Sequence, residues 1–394
     1  MAVQNSMELA SSSCDDDGHP SRTGNLWSCV AHIITAVIGS GVLSLAWILS
    51  LAWSTAQLGW IAGPIALLCF AIVTYISAFL LSDCYRSPDP VTGTRNYCYM
   101  DAVRVNLGKT QTWFCGLLQY LSMYGTCVAY VITTSTTTFK PIIRVLVIVT
   151  RYATFSYSIY FVESSACAYG DNFFMLVFGL VQIIVSQIPD IHSIEWLSVV
   201  AAIMSFAYSS IGFGLGFAKV LENGRIKGSI TGVPTANVAD KLWLAFLALG
   251  DIAFAYPYSL ILLEIQDTLK SPPAENKTMK KGSMVAIFIT TFFYLCCGCF
   301  GYAAFGDKTP GNSVRIVLIH LVGGYQIYSQ PVFSFVEGWF SKKYPRSGFV
   351  NKFYTFKLPL FPPLQVNLLR VCFRTAYVAS TTAIAMVFPY FNIE

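Results

Sequence analysis

Four ionisable side chains lie inside long apolar runs of this 394-residue chain: His32, Asp251, Glu264 and His320. Charged groups are costly in hydrocarbon, so within a membrane segment each is read first as a functional group. Desolvation disfavours the charged carboxylate and raises its pKa, so a buried carboxyl can exchange a proton near neutral pH. Asp251 is the first choice for such a proton-coupling role, with His32, His320 and Glu264 behind it. Plainer readings stand beside these. Asp251 fits the cap of a half-helix, the histidines fit satisfied interior residues, and Glu264, near the end of its run, fits a surface pair with a lysine.

A second feature sits in the same runs. "AVIGSGVLSLAW" (Ala36–Trp47) carries Gly39-Ser40-Gly41 at the middle of the first apolar stretch. "LALGDIAFAYPYSLILLEIQDT" (Leu247–Thr268) carries Gly250-Asp251 and then Pro257 in the sixth. Glycine is a weak helix former, and proline removes one intrahelical bond and clashes with the carbonyl four residues back. Both stretches therefore read as interrupted helices. Paired interruptions in corresponding positions of two halves point to the binding site of an inverted-repeat carrier. Freed N–H groups suit a carboxylate and freed carbonyls suit an ammonium, so a zwitterion such as a free amino acid matches both. Packing of small residues between helices is the competing reading for either break alone.

The elements that must hold these groups follow from composition. Hydrophobic residues make up 55% of the chain and charged residues 11%, against about a quarter charged in soluble domains. This is an all-α, polytopic membrane protein. A bilayer core of about 30 Å takes about 20 apolar helical residues, and nine stretches meet that, near 27–53, 58–82, 111–134, 171–190, 196–219, 242–265, 283–305, 314–340 and 371–391. Residues 1–26 are polar and acidic and read as a disordered tail without a cleavable signal. With that tail in the cytoplasm, most of the 25 lysines and arginines fall on the cytoplasmic side. They cluster at Arg86–Lys109, at Lys270–Lys281 and between Lys342 and Arg374. Phe139–Glu163 is apolar but holds Lys140, Arg144 and Arg151, and is expected outside or at the interface rather than as a tenth span. The Asn276-Lys277-Thr278 sequon would face the cytoplasm, unmodified. The 12 cysteines are scattered without zinc-site spacing, so no metal or cofactor is expected. No span carries a nucleophile–base pair, which argues against an enzyme, and the net charge of +5 sits in loops that set topology rather than bind nucleic acid.

Several stretches resemble the plant amino acid permeases of the amino acid/auxin permease family. They are "AHIITAVIGSGVLSLAW" (Ala31–Trp47), "QLGWIAGP" (Gln57–Pro64), "LLSDCYR" (Leu80–Arg86), "RNYCYMDAVR" (Arg95–Arg104), "GDIAFAYPYS" (Gly250–Ser259), "EIQDTLKSPPAENKTMKK" (Glu264–Lys281), "GYAAFGDKTPGN" (Gly301–Asn312) and "HLVGGYQIYSQPVF" (His320–Phe333). The resemblance implies a leucine-transporter-type inverted repeat of five plus five helices. A first repeat would span about 27–219 and an incomplete second about 242–391. It implies proton-driven symport of neutral or acidic amino acids across the plasma membrane. By that likeness Ile38, Gly39, Ser40, Gly41 and Val42 would hold the substrate carboxylate, and Gly250, Asp251, Ala253, Phe254 and Ala255 its amine. The chain departs from the pattern in four places. "LSLAW" is doubled at Leu43–Trp47 and Leu49–Trp53, Phe139–Tyr169 is altered, "GDKTPGN" runs almost directly into "RIVLIHLVGG", and the sequence stops at "MVFPYFNIE", without helices ten and eleven. A transport-inactive variant or an amino acid sensor is the alternative reading.

Overall fold

The computed structural model describes residues 15, 22–41, 47–134, 170–188, 195–309, 318–356 and 364–388. The expectations for the tail before Arg22 (Asp15 apart), for Val42, for Phe139–Glu163 and for the last six residues lie outside them.

The described chain is mainly helical, with two short hairpins. Helix α1 spans Leu26–Gly41 and α2 Trp47–Asp83. Gly59 divides α2: its φ of 86° is open only to glycine, and the carbonyl of Ile230 occupies the place of a Cβ. The first expected span therefore consists of α1 and the opening turns of α2, and the second follows Gly59. A hairpin of β1 (Arg86–Ser87) and β2 (Thr94–Arg95) leads into α3 (Tyr99–Leu107) and α4 (Lys109–Thr134). Helices α5 (Asp171–Val185) and α6 (Glu195–Asn223) precede α7 (Val238–Phe254). A 3-10 turn (Pro257–Ile261) connects α7 to α8 (Leu262–Gln266). Then come α9 (Glu275–Phe305), α10 (Leu318–Lys343) and α11 (Gly348–Asn351). The antiparallel hairpin of β3 (Phe353–Phe356) and β4 (Leu364–Asn367) leads into α12 (Leu368–Val387).

Among the described residues, four helices are long and apolar enough to cross a membrane: Leu51–Asp83, Lys109–Thr134, Val199–Asn223 and Glu275–Lys308. Val238–Phe254 with Pro257–Gln266 makes a fifth, bent by 42°. The other stretches expected to span correspond to α1, α5, α10 and α12, whose described parts fall short in length or apolarity. The outer surface has the character of a lipid-facing one. On α2 the exposed residues Ile61, Ile65, Leu68, Ile72, Ile76 and Leu80 recur at helical spacing. Helices α1, α6, α9 and α10 pack around the centre, α9 lying along both α2 and α6, while α7 packs against α2.

Several polar side chains inside this bundle pair with one another, as a medium without water favours. Gln326 Nε2 donates to Gln182 Oε1 at 2.6 Å and to Ser186 Oγ at 2.9 Å, and Gln330 Nε2 donates to Gln326 Oε1 at 3.2 Å. Arg374, which sequence reading placed among the loop cations, is fully buried on α12. It donates to both Glu337 carboxylate oxygens (2.6 and 3.2 Å) and to the carbonyls of Ser186 and Ile188 at 2.6 and 2.7 Å. These bonds replace its hydration.

The segment before α1 is fastened to the end of the bent span. Arg22 pairs with Asp267 at 2.8 Å, Tyr85 Oη donates to Asp267 at 2.7 Å, and Gly24 bridges to Thr268 and Lys270 through its backbone. Beside it, buried Glu275 accepts from Arg86 at 2.8 Å and Arg95 at 2.9 Å. Burial raises the Asp267 carboxyl above its ordinary range, against the pull of Tyr85 and Arg22.

Candidate functional site

Helix α7 stops where its sequence requires. Pro257 has no N–H, and the residue before a proline is pushed out of the α region. Tyr256 accordingly takes φ −127°, ψ 45°. The interruption thus falls at Ala255–Tyr256, and Gly250 and Asp251 stay helical within α7.

Carbonyls at such a break need partners, and two come from other helices. Tyr294 Oη, fully buried on α9, donates to the Ala255 carbonyl at 3.2 Å. Gln119 Nε2, buried on α4, donates to the Leu260 carbonyl in the 3-10 turn at 2.7 Å. The Tyr256 and Tyr294 rings lie 5.1 Å apart, and the Tyr256 hydroxyl pairs with Thr291 at 3.0 Å. Side chains therefore fix the geometry of the bend from both sides.

Span one meets this region through both of its parts. Its upper part supplies Ser54, whose Oγ donates to Asp251 Oδ2 at 3.3 Å. Its lower part, α1, packs against the 3-10 turn and α8. Tyr328 Oη of α10 donates to the Ala36 carbonyl at 3.2 Å, five residues before the end of α1. The backbone is helical through Ile38, Gly39, Ser40 and Gly41. The interruption expected at Gly39–Gly41 is therefore absent from the described residues up to Gly41. Val42 and the N–H groups of 43–46, which would face a carboxylate, lie outside the described residues. The end of α7 presents a C-terminal turn, in which the Ile252 and Ala253 carbonyls accept from the N–H groups of Ala255 and Tyr256, and it carries the negative end of the dipole.

The remaining expected residues fall in different places. Ala255 is buried, while Ala253 and Phe254 are exposed. His32 is buried on α1, and His320 falls in the first turn of α10. Glu264 lies on α8 below the bend. No described lysine or arginine forms an ion pair with Glu264, and its Oε2 is buried without a hydrogen-bond partner. The expected surface pair with a lysine is thus replaced by burial. Tyr124 bonds Ser380 on α12 at 2.8 Å, and Gln330 belongs to the glutamine chain. Asn276 of the sequon is buried and donates to Asp83 at 2.9 Å. Sequence reading missed Ser54, Gln119, Tyr294 and Tyr328. The available signal was a polar group within an apolar run, which many harmless residues share.

The family model described as "Transmembrane amino acid transporter protein" matches residues 22–393. Probable amino acid permease 7 of Arabidopsis thaliana is 52% identical, aligned over 95% of this chain and 81% of its own length. Amino acid permease 3 of the same plant is 48% identical over 96% of this chain and 80% of its own length. Lysine histidine transporter-like 3 is 28% identical over 94% and 76%. A multi-pass helical bundle, a bent span with carbonyls at its break and this match agree: the chain belongs to the transmembrane amino acid transporter family, whose members carry solutes rather than catalyse reactions.

Proposed function

We propose that the chain is a proton-coupled amino acid symporter of the plasma membrane, with its N-terminus in the cytoplasm and a leucine-transporter-type repeat. The observation that carries this reading is the break at Ala255–Tyr256, whose carbonyl is held by Tyr294 and whose upper half meets span one at Asp251 and Ser54. The substrate ammonium lies against the carbonyl ends of α1 and α7, near Ile38–Gly41 and Ala253–Ala255. The carboxylate lies against N–H groups that follow Gly41, beginning at Val42. Asp251 carries the coupled proton, since its side chain joins the two spans that must part during transport; Glu264, His32 and His320 are the other candidates. The names of the relatives support amino acids as the cargo, and neutral and acidic ones are the expected classes.

The test is uptake of labelled amino acids into liposomes containing the full chain, with and without an inward proton gradient. Accumulation that collapses with the gradient is expected. Uptake indifferent to the gradient would remove the coupling, and binding without flux would favour a sensor.

A further inference from the structure

The segment between α10 and α12 is unlike the other connections. From Glu337 to Arg374 it holds seven lysines and arginines, among them Lys342, Lys343, Arg346 and Lys352, against the single acid Glu337. Both guanidinium partners of Glu337 lie on α12: Arg374 at 2.6 Å and Arg370 at 3.0 Å. The acid is therefore more than neutralised. Lys342, Lys343, Arg346 and Lys352 are all exposed.

The same segment exposes large aromatic residues. Trp339 is 48% exposed, Phe349 47% and Phe353 48%. Lys343 Nζ stands 4.5 Å from the Trp339 ring centroid, and Lys352 Nζ 5.1 Å from that of Tyr354. Aromatic rings beside cations are characteristic of the headgroup level of a bilayer. An aqueous loop gains nothing by exposing so many rings. Between these elements lies a cavity of about 300 Å³ bounded by Ser334, Glu337, Ser341, Asn351, Phe353 and Arg370. Arg370 spends Nε on Glu337 and lies against the Phe353 ring at 5.2 Å. Its two terminal amino groups make no hydrogen bond with any described residue.

We infer that the cavity between α10, the β3–β4 hairpin and α12 is a binding site for the headgroup of an anionic phospholipid of the adjoining leaflet. The terminal amino groups of Arg370 meet the phosphate, while the Ser341 hydroxyl and the Asn351 amide are spent on one another and on the Tyr344 and Pro345 carbonyls. Lys342, Lys343 and Lys352 attract the phosphate, and Trp339, Phe349 and Phe353 sit at the level of the glycerol and upper acyl chain. The inference requires that α10 and α12 span the membrane, which brings their connection to the bilayer surface. It does not depend on the substrate or on proton coupling. Clusters of four to eight basic residues beside a span are a recognised basis for such binding. Each cation near an anionic surface is worth about fivefold in affinity, so three lysines give about a hundredfold.

The experiment uses the full chain in nanodiscs of phosphatidylcholine with 10 mol% phosphatidylserine, released into a mass spectrometer to identify retained lipids. Retained phosphatidylserine is expected at several times its bulk share, and K342Q/K343Q/K352Q should return it to that share. Those three side chains are exposed, so the variant should keep its thermal transition, measured in parallel. Retention in proportion to bulk composition overturns the inference, as does undiminished enrichment in the variant. Inorganic phosphate at constant ionic strength separates a lipid from a soluble anion. Loss of enrichment at millimolar phosphate would overturn the lipid assignment.

Discussion

Replacing Tyr294 by phenylalanine removes one oxygen and leaves the ring in place. Tyr294 is fully buried, and its hydroxyl donates to the Ala255 carbonyl at 3.2 Å, at the point where the bent span is interrupted. A net hydrogen bond contributes about 1 kcal/mol, and a buried carbonyl left without its donor costs about 1–3 kcal/mol. In the proposed site the Ala255 carbonyl faces the substrate ammonium. Without Tyr294 Oη it is free to rotate from that position. A penalty of about 1–2 kcal/mol corresponds to a factor of about 5–30 in an equilibrium. The account therefore predicts a rise of about tenfold in the KM for amino acid uptake and a lowered thermal midpoint. The assay is initial-rate uptake of labelled amino acid under an imposed proton gradient. Tyr256→Phe serves as the control, because that ring is only 5.1 Å away but its hydroxyl pairs with Thr291 rather than the broken backbone. Its KM should change less than about threefold, since a side-chain pair lost at one end alters only local packing. Wild-type KM in Tyr294→Phe, or equal effects in the two variants, would refute the positioning of the break carbonyl.

Further outcomes follow from the same contacts. Asp251→Asn should lose concentrative uptake while retaining amino acid exchange, and unchanged pH-driven accumulation would clear Asp251 of the proton-carrying role. Gly39→Leu and Gly41→Leu should each abolish substrate binding by filling the end of α1, which equilibrium dialysis would check. Arg374→Met leaves Glu337 with Arg370 alone and frees two buried carbonyls; breaking such a pair costs about 3–5 kcal/mol, to be read as lost monodisperse protein and a lowered thermal midpoint. Burial and the nearby Asp101 carboxylate push the Cys98 thiol from 9.0 up to about 12. A raised thiol pKa means less thiolate, so at pH 8 maleimide should modify Cys98 about a thousandfold more slowly than a free cysteine. The rate should still climb tenfold per pH unit where a free thiol levels off. Mass-spectrometric peptide mapping resolves Cys98 from the other cysteines.

Proline and apolar length were the readable parts of this molecule. Pro257 announces the bend because its ring and missing N–H act locally, within its own four residues. Gly59, whose φ of 86° is open to glycine, turns the chain between the first two spans, and was not read from the sequence. The consequences of Gly39-Ser40-Gly41 were less legible. Glycine weakens a helix without forbidding it, and the backbone remains helical to Gly41. What held the broken span was not readable at all. Gln119 and Tyr294 lie 141 and 39 residues from the carbonyls they satisfy, so only the packing of α4 and α9 against the bend brings them there. Arg374 failed as a loop residue for a related reason. Its charge suggested water, but Glu337 and two carbonyls replaced that water inside the bundle. Glu264 shows the converse, a carboxyl near a span's end that packing buried away from any lysine.

In the proposed function an amino acid binds at the bend of the sixth span, beside the stretch of the first span that follows Gly41. A cryo-EM map of the full chain in nanodiscs with saturating amino acid tests it most directly. Ligand density is expected against the Ala255 carbonyl and beside Gly41, with Tyr294 still bonded to the break. Density elsewhere in the bundle, or an unbroken helical backbone through Ala255–Pro257, would contradict it.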